Sequence, residues 1–123
     1  MLTRRTFLKL FGASVVGGAA LAAYAFAIEP LWRLTTVTRR VRPKTWPDGH
    51  KLRIVALADF HACEPWMSQK RIAGICNRAN ALDPDIILLL GDYVSSMDLT
   101  TGVVAPETWA SELARLTAPL GVH

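Results

Sequence analysis

The chain has 123 residues, of which 51% are hydrophobic and 20% charged, with a formal net charge of +4. These values exclude a disordered polymer and bound the chain to one small domain. Charge is zoned, so the basic total does not make the whole chain a nucleic-acid binder. Residues 1–28 carry Arg4, Arg5 and Lys9 with no acid, and residues 29–53 carry seven basic against two acidic side chains, a net of +5. Residues 54–123 carry four basic and eight acidic side chains, a net of −4.

In chain order, the first element is "MLTRRTFLKLFGASVVGGAALAAYAFAIEP", a basic start followed by an apolar run without charge from Leu10 to Ile28. It reads as an apolar signal helix over residues 1–28, with small-x-small cleavage sites at Ala23-Tyr24-Ala25 and Ala25-Phe26-Ala27. The run is also long enough to cross a bilayer through residues 10–28, so the same segment reads as a membrane anchor. Pro30 is expected to stop the helix. Thr3-Arg4-Arg5-Thr6-Phe7-Leu8-Lys9 resembles the twin-arginine export signature, in which Arg4 and Arg5 are the paired arginines. That resemblance implies the twin-arginine export machinery as a partner, and a periplasmic or cell-envelope location, free or membrane-anchored.

"LWRLTTVTRRV", residues 31–41, is rich in β-branched residues and predicts a strand. One face would carry Trp32, Leu34, Thr36 and Thr38, the other Arg33, Thr35, Val37 and Arg39. Its cations read as protection of an edge strand against aggregation. A turn follows at Pro47-Asp48-Gly49. "KLRIVALAD" predicts a strand whose core, Ile54 to Ala58, would be buried on both faces. Ser68 can cap a helix reaching about Leu82, with Ile72, Ile75, Cys76, Ala79 and Leu82 on one stripe. "IILLL", Ile86 to Leu90, predicts another buried strand closed by Gly91-Asp92. A loop spans 93–105, and Pro106 opens a helix with Trp109, Leu113 and Leu116 inward. Pro119 to His123 reads as the approach to a further strand. Residues 52–92 are therefore a βαβ unit with a parallel pair, and the fold class is α/β.

Sites in open α/β sheets form beyond the carboxyl ends of such strands. Asp59 and His61, two apart, share one side if extended backbone persists through Asp-Phe-His. Asp92 ends the neighbouring strand, about 4.8 Å away if the two strands pair directly. Two carboxylates and an imidazole with a common focus suit a divalent cation. A carboxylate such as Asp92 can also bridge two cations. Each motif alone is also ordinary turn chemistry; their coincidence at two strand ends favours a metal site. Cys63 and Cys76 show no ligand spacing and read as separate, partly buried thiols. His50 and His123 read as solvated or structural.

"LRIVALADFHACEP", followed by "LDPDIILLLGDYV", resembles the first two motifs of the calcineurin-like metallophosphoesterases, Asp-x-His and Gly-Asp. "IEPLWRLTTVTRRV" is similar to the first strand of that family's exported bacterial branch. The resemblance covers residues 29–123, which would form the N-terminal part of an α-β-β-α sandwich. It implies Asp59 and His61 as ligands of a first metal and Asp92 as a bridge to a second. The complete family site would hold two divalent ions (manganese, iron or zinc) and hydrolyse phosphate mono- or diesters with a metal-activated hydroxide. The family's third motif, Gly-Asn-His-Asp/Glu, would begin after His123, and the last acid of its Gly-Asp-x-x-Asp form falls at Ser95. The expectation is a phosphate-ester substrate, one metal held by this chain alone, and weak or absent turnover. A second expectation is a signal-anchored α/β module that binds one metal or phosphate without catalysis. A third is a remnant lacking the rest of its sheet. No nucleic-acid partner is expected.

Overall fold

A computed structural model of the chain describes residues 3–96 and 100–123, with the backbone alone described for Pro30 and Trp32. The loop expected over 93–105 therefore includes three residues, Met97 to Leu99, that lie outside the described residues, as does the side chain of Trp32. The structure is mixed α/β with small sheets and an N-terminal apolar helix. It divides into two compact units, Met1–Arg33 and Leu34–His123.

The first unit is helical. Helix α1 (Arg4–Ala23) starts at Thr3, whose hydroxyl accepts the Thr6 amide at 3.2 Å and so satisfies one orphan donor of the first turn. Phe7 and Phe11, four apart, stack at 6.3 Å. Within Arg4–Ile28 an 18-residue window reaches a mean hydropathy of 1.8, and none of that window is buried, so length and composition suffice to cross a membrane. A signal sequence satisfies the same criterion.

Pro30 does not stop this helix. The chain widens into a π-helical turn, Tyr24–Ile28, in which the Glu29 amide donates five residues back to the Tyr24 carbonyl. A new α turn, α2 (Glu29–Trp32), then places Pro30 in its first turn, where a missing N–H costs nothing. Arg33 closes it with an ion pair to Glu29 at 3.2 Å.

The strand expected over residues 31–41 is not formed either. Residues 33–53 contain no helix or strand, only turns at 44–45 and 48–49. A β-rich composition needs a neighbouring ladder to become a strand, and no described strand pairs here. The segment is tied down by few contacts. Arg78 Nε donates to Thr36 Oγ1 at 3.2 Å, the Trp46 indole donates to the His50 carbonyl at 2.9 Å, and Arg42 pairs with Asp48. The expected bend is present, with Gly49 at φ +80°.

Strands β1 (Ile54–Leu57) and β3 (Ile86–Leu89) pair in parallel, with Ile54 opposite Ile86 and Leu57 opposite Leu89. Between them run a short strand β2 (Cys63–Glu64) and helix α3 (Gln69–Asn80), whose cap Ser68 accepts the Arg71 amide. The predicted βαβ unit is thus present. Helix α3 buries Ile72, Cys76 and Ala79 against Val55 and Ile87, and helix α4 (Pro106–Leu113) adds Leu113 beside Leu116. A buried Ile side chain contributes about 1.5–3 kcal/mol. Beyond β3, Gly121 and His123 exchange backbone hydrogen bonds with Ile87 and Leu89, and Val122 bridges Ile87 in parallel. The approach to a further strand is therefore visible as one bridge.

Burial of β1 on both faces is a correction. Val55 and Ile87 point into the helical layer, whereas Ile54 is 52% exposed and Leu90 65% exposed. Side chains alternate along a strand, and among the described residues helices cover one face. A second small sheet pairs β2 antiparallel with β4 (Gly102–Val103), which periodicity did not reveal because each strand has two residues.

Candidate metal centre

The two strand ends are fastened together beyond their last ladder residues. The Leu90 amide donates to the Leu57 carbonyl at 2.9 Å, the His61 amide to the Asp92 carbonyl at 3.0 Å, and the Ala62 amide to the Tyr93 carbonyl at 2.8 Å. Phe60 is buried between the two exposed-side residues Asp59 and His61 and stacks on Tyr93 at 6.1 Å. Tyr93 in turn stacks on Trp109 of α4 at 5.0 Å. One aromatic column therefore anchors both loops to the core. Tyr93 therefore has a packing role.

Asp59, His61 and Asp92 each offer one ligating atom, and these atoms lie within 4.8 Å of one another. The sequence-predicted trio is brought together, though not by extended backbone. Asp59 (φ +54°), His61 (φ +43°) and Asp92 (φ +59°) all occupy the left-handed region, with Gly91 at +92°. Asp, Asn and His enter that region more readily than other side-chain-bearing residues. Two left-handed turns flank Phe60, so the ring faces inward while both polar side chains face outward.

The imidazole is oriented. His61 Nδ1 lies 3.2 Å from the Val94 carbonyl, which can only accept, so Nδ1 carries the proton. Nε2 then faces Asp92 Oδ2 at 3.2 Å and is the nitrogen available to a cation. Val94 carries no signal in the sequence, since any residue would supply that carbonyl. The side chains of His61 and Asp92 are 41% and 56% exposed, so water can complete a coordination sphere.

The donor set fits a metal. Two hard carboxylates and one borderline imidazole suit manganese, iron or zinc. Ligating atoms around one such ion sit roughly 3–3.5 Å apart at bond lengths of about 2.1 Å. A span of up to 4.8 Å leaves the cluster slightly more open than that. Among the described residues no second group of three such ligands gathers.

The remaining singled-out residues lie elsewhere. Cys63 and Cys76 are free and fully buried, Cys63 in β2 and Cys76 on the inner face of α3, and burial pushes the Cys76 thiol pKa up. Met67 packs against the core, exchanging backbone hydrogen bonds with Cys63. His50 is exposed in its turn, and His123 Nε2 lies 2.9 Å from the Leu120 carbonyl, neither within the cluster. Arg4 and Arg5 form the exposed first turn of α1. Comparison with protein-family models, with curated proteins and with solved structures finds no match for this chain. The functional case therefore rests on this site.

Proposed function

We propose that the folded unit carries the first part of a calcineurin-like metallophosphoesterase site, and that the protein hydrolyses phosphate mono- or diesters in the cell envelope. Its route there would be the twin-arginine machinery, addressed by Arg4 and Arg5 in the N-terminal helix. The observation that carries this reading is the meeting of Asp59, His61 and Asp92 beyond the carboxyl ends of two directly paired parallel strands. Asp59 and His61 would hold one divalent ion, and the second oxygen of Asp92 would be free to reach another. Bound there, the metal supplies Lewis acidity toward a phosphoryl oxygen and acidifies water. The chain's own part is to fix the imidazole through Val94, to hold negative charge that concentrates the cation, and to leave the site open to a phosphate ester.

A second reading is a non-catalytic α/β module holding one metal or phosphate. It is favoured by the supply of ligands for a single ion among the described residues. The test is metal stoichiometry and hydrolysis of bis(p-nitrophenyl) phosphate by the full chain loaded with manganese or zinc, alongside Asp92→Asn. The enzyme reading expects turnover that Asp92→Asn abolishes, together with at least a ten-fold loss of metal affinity. Two tightly bound ions support the enzyme reading, and one weakly bound ion without turnover favours the module. Absence of metal binding removes the enzyme reading and the metal-holding form of the module.

A further inference from the structure

The basic stretch after α2 loses its bland explanation once the strand expected there is absent. Residues 33–53 form neither helix nor strand, so their cations protect no sheet edge. Arg39, Arg40, Lys44 and Lys51 are exposed and, among the described residues, have no hydrogen-bond or ion-pair partner, while Arg42 holds Asp48 in an exposed pair. Apolar side chains are interleaved with them. Val37 is 70% exposed and Val41 81% exposed, in a segment with no covering element.

Position along the chain selects the partner. The stretch begins directly after a helix long and apolar enough to cross a membrane. Arg39 follows the last helical residue, Trp32, closely, and an extended chain advances at most about 3.6 Å per residue. A bilayer that holds the helix therefore keeps these cations within a short tether of its surface, at high effective concentration. Arginine and lysine beside a membrane-crossing segment gain roughly 1 kcal/mol each from an anionic surface. Exposed valines can enter the headgroup boundary, a contact that a nucleic-acid backbone would not reward. The acidic side chains, eight in residues 54–123, are segregated from this strip along the chain.

We propose that residues 37–51, through Arg39, Arg40, Arg42, Lys44 and Lys51 with Val37 and Val41, dock on an anionic phospholipid surface. The strip would hold the folded unit against the bilayer in which the N-terminal helix sits. This holds whether or not Asp59, His61 and Asp92 bind metal.

The test places the full chain in vesicles of phosphatidylcholine alone or of phosphatidylcholine mixed with phosphatidylglycerol. An environment-sensitive fluorophore is attached at Thr38→Cys, since both native thiols are buried. Because the helix anchors the chain in both vesicles, the probe reads the strip and not the insertion. Blue-shifted, brighter emission is expected in the anionic vesicles only, reversed by high salt. Arg39→Glu/Arg40→Glu/Arg42→Glu should abolish the response, with about a five-fold loss of surface association for each cation removed. Equal emission in neutral and anionic vesicles overturns the proposal. So does an equal response to a single-stranded oligonucleotide added to the neutral vesicles.

Discussion

Asp59, His61 and Asp92 carry side chains in a backbone region where a Cβ costs roughly 1–2 kcal/mol in most contexts. Such residues persist where surrounding structure imposes the conformation, here the paired amides of His61 and Ala62 and the buried ring of Phe60. Glycine would sit there without that cost, but it loses more conformational entropy on folding. Asp59→Gly is therefore expected to leave metal-free stability within about 1 kcal/mol of the parent. The same substitution should weaken zinc or manganese binding at least ten-fold by calorimetry, since it removes a ligand. Parallel losses of stability and binding would instead make Asp59 a structural turn residue.

Helices α3 and α4 are joined by a polar lattice around Glu112. Its carboxylate accepts from Gln69 Nε2 at 2.9 Å and from Arg115 at 2.7 Å, while Arg115 also donates to Asn77 Oδ1 at 3.0 Å. The Gln69 hydrogen bond first, and Arg115 second, hold its pKa below the ordinary 4.5. A lowered folded-state pKa contributes stability above the unfolded value, and that stability is lost as pH falls below about 4.5. Glu112→Gln should thus lower the melting temperature at neutral pH and flatten its fall under acid, checked by thermal melts across pH. This lattice was not legible in the sequence, because it joins residues up to 43 apart through side chains with no periodicity. The elements themselves were legible where one physical signal dominated: the Ser68 cap, the Ile72–Cys76–Ala79 stripe, the Pro106 start. Two of the departures have a common cause. Residues 31–41 and Pro30 were read from local preference, and in each case the absence of a ladder partner or a widened helical turn decided the outcome. At the site, residue identity and strand order located Asp59, His61 and Asp92, whereas the left-handed turns and the Phe60–Tyr93–Trp109 column depend on contacts between distant segments.

At the scale of the molecule, an exposed membrane-competent helix precedes an α/β unit whose sheet is covered on one face among the described residues. Apart from the local Cys63–Met67 bridge, the described strand pairings in that unit are non-local: Ile54 meets Ile86, Cys63 meets Val103, and Ile87 meets Val122. Chain segments must close loops of this size before the pairings return any energy, which places such units among slower folders. The metal trio sits at the far end of this order of events. His61 reaches Val94 across 33 residues, so no cation can find all three ligands until β1 and β3 are already aligned. An ion that binds only the finished site stabilises the native state and not the folding transition state. Saturating zinc should therefore leave the refolding rate nearly unchanged and slow unfolding, by about a hundred-fold at a hundred times the dissociation constant. Stopped-flow fluorescence in both directions checks this, and an accelerated refolding limb would mean that the site assembles early. The geometry that gathers the ligands thus makes the cation a latch on a completed fold, governing how long the structure lasts once it has formed.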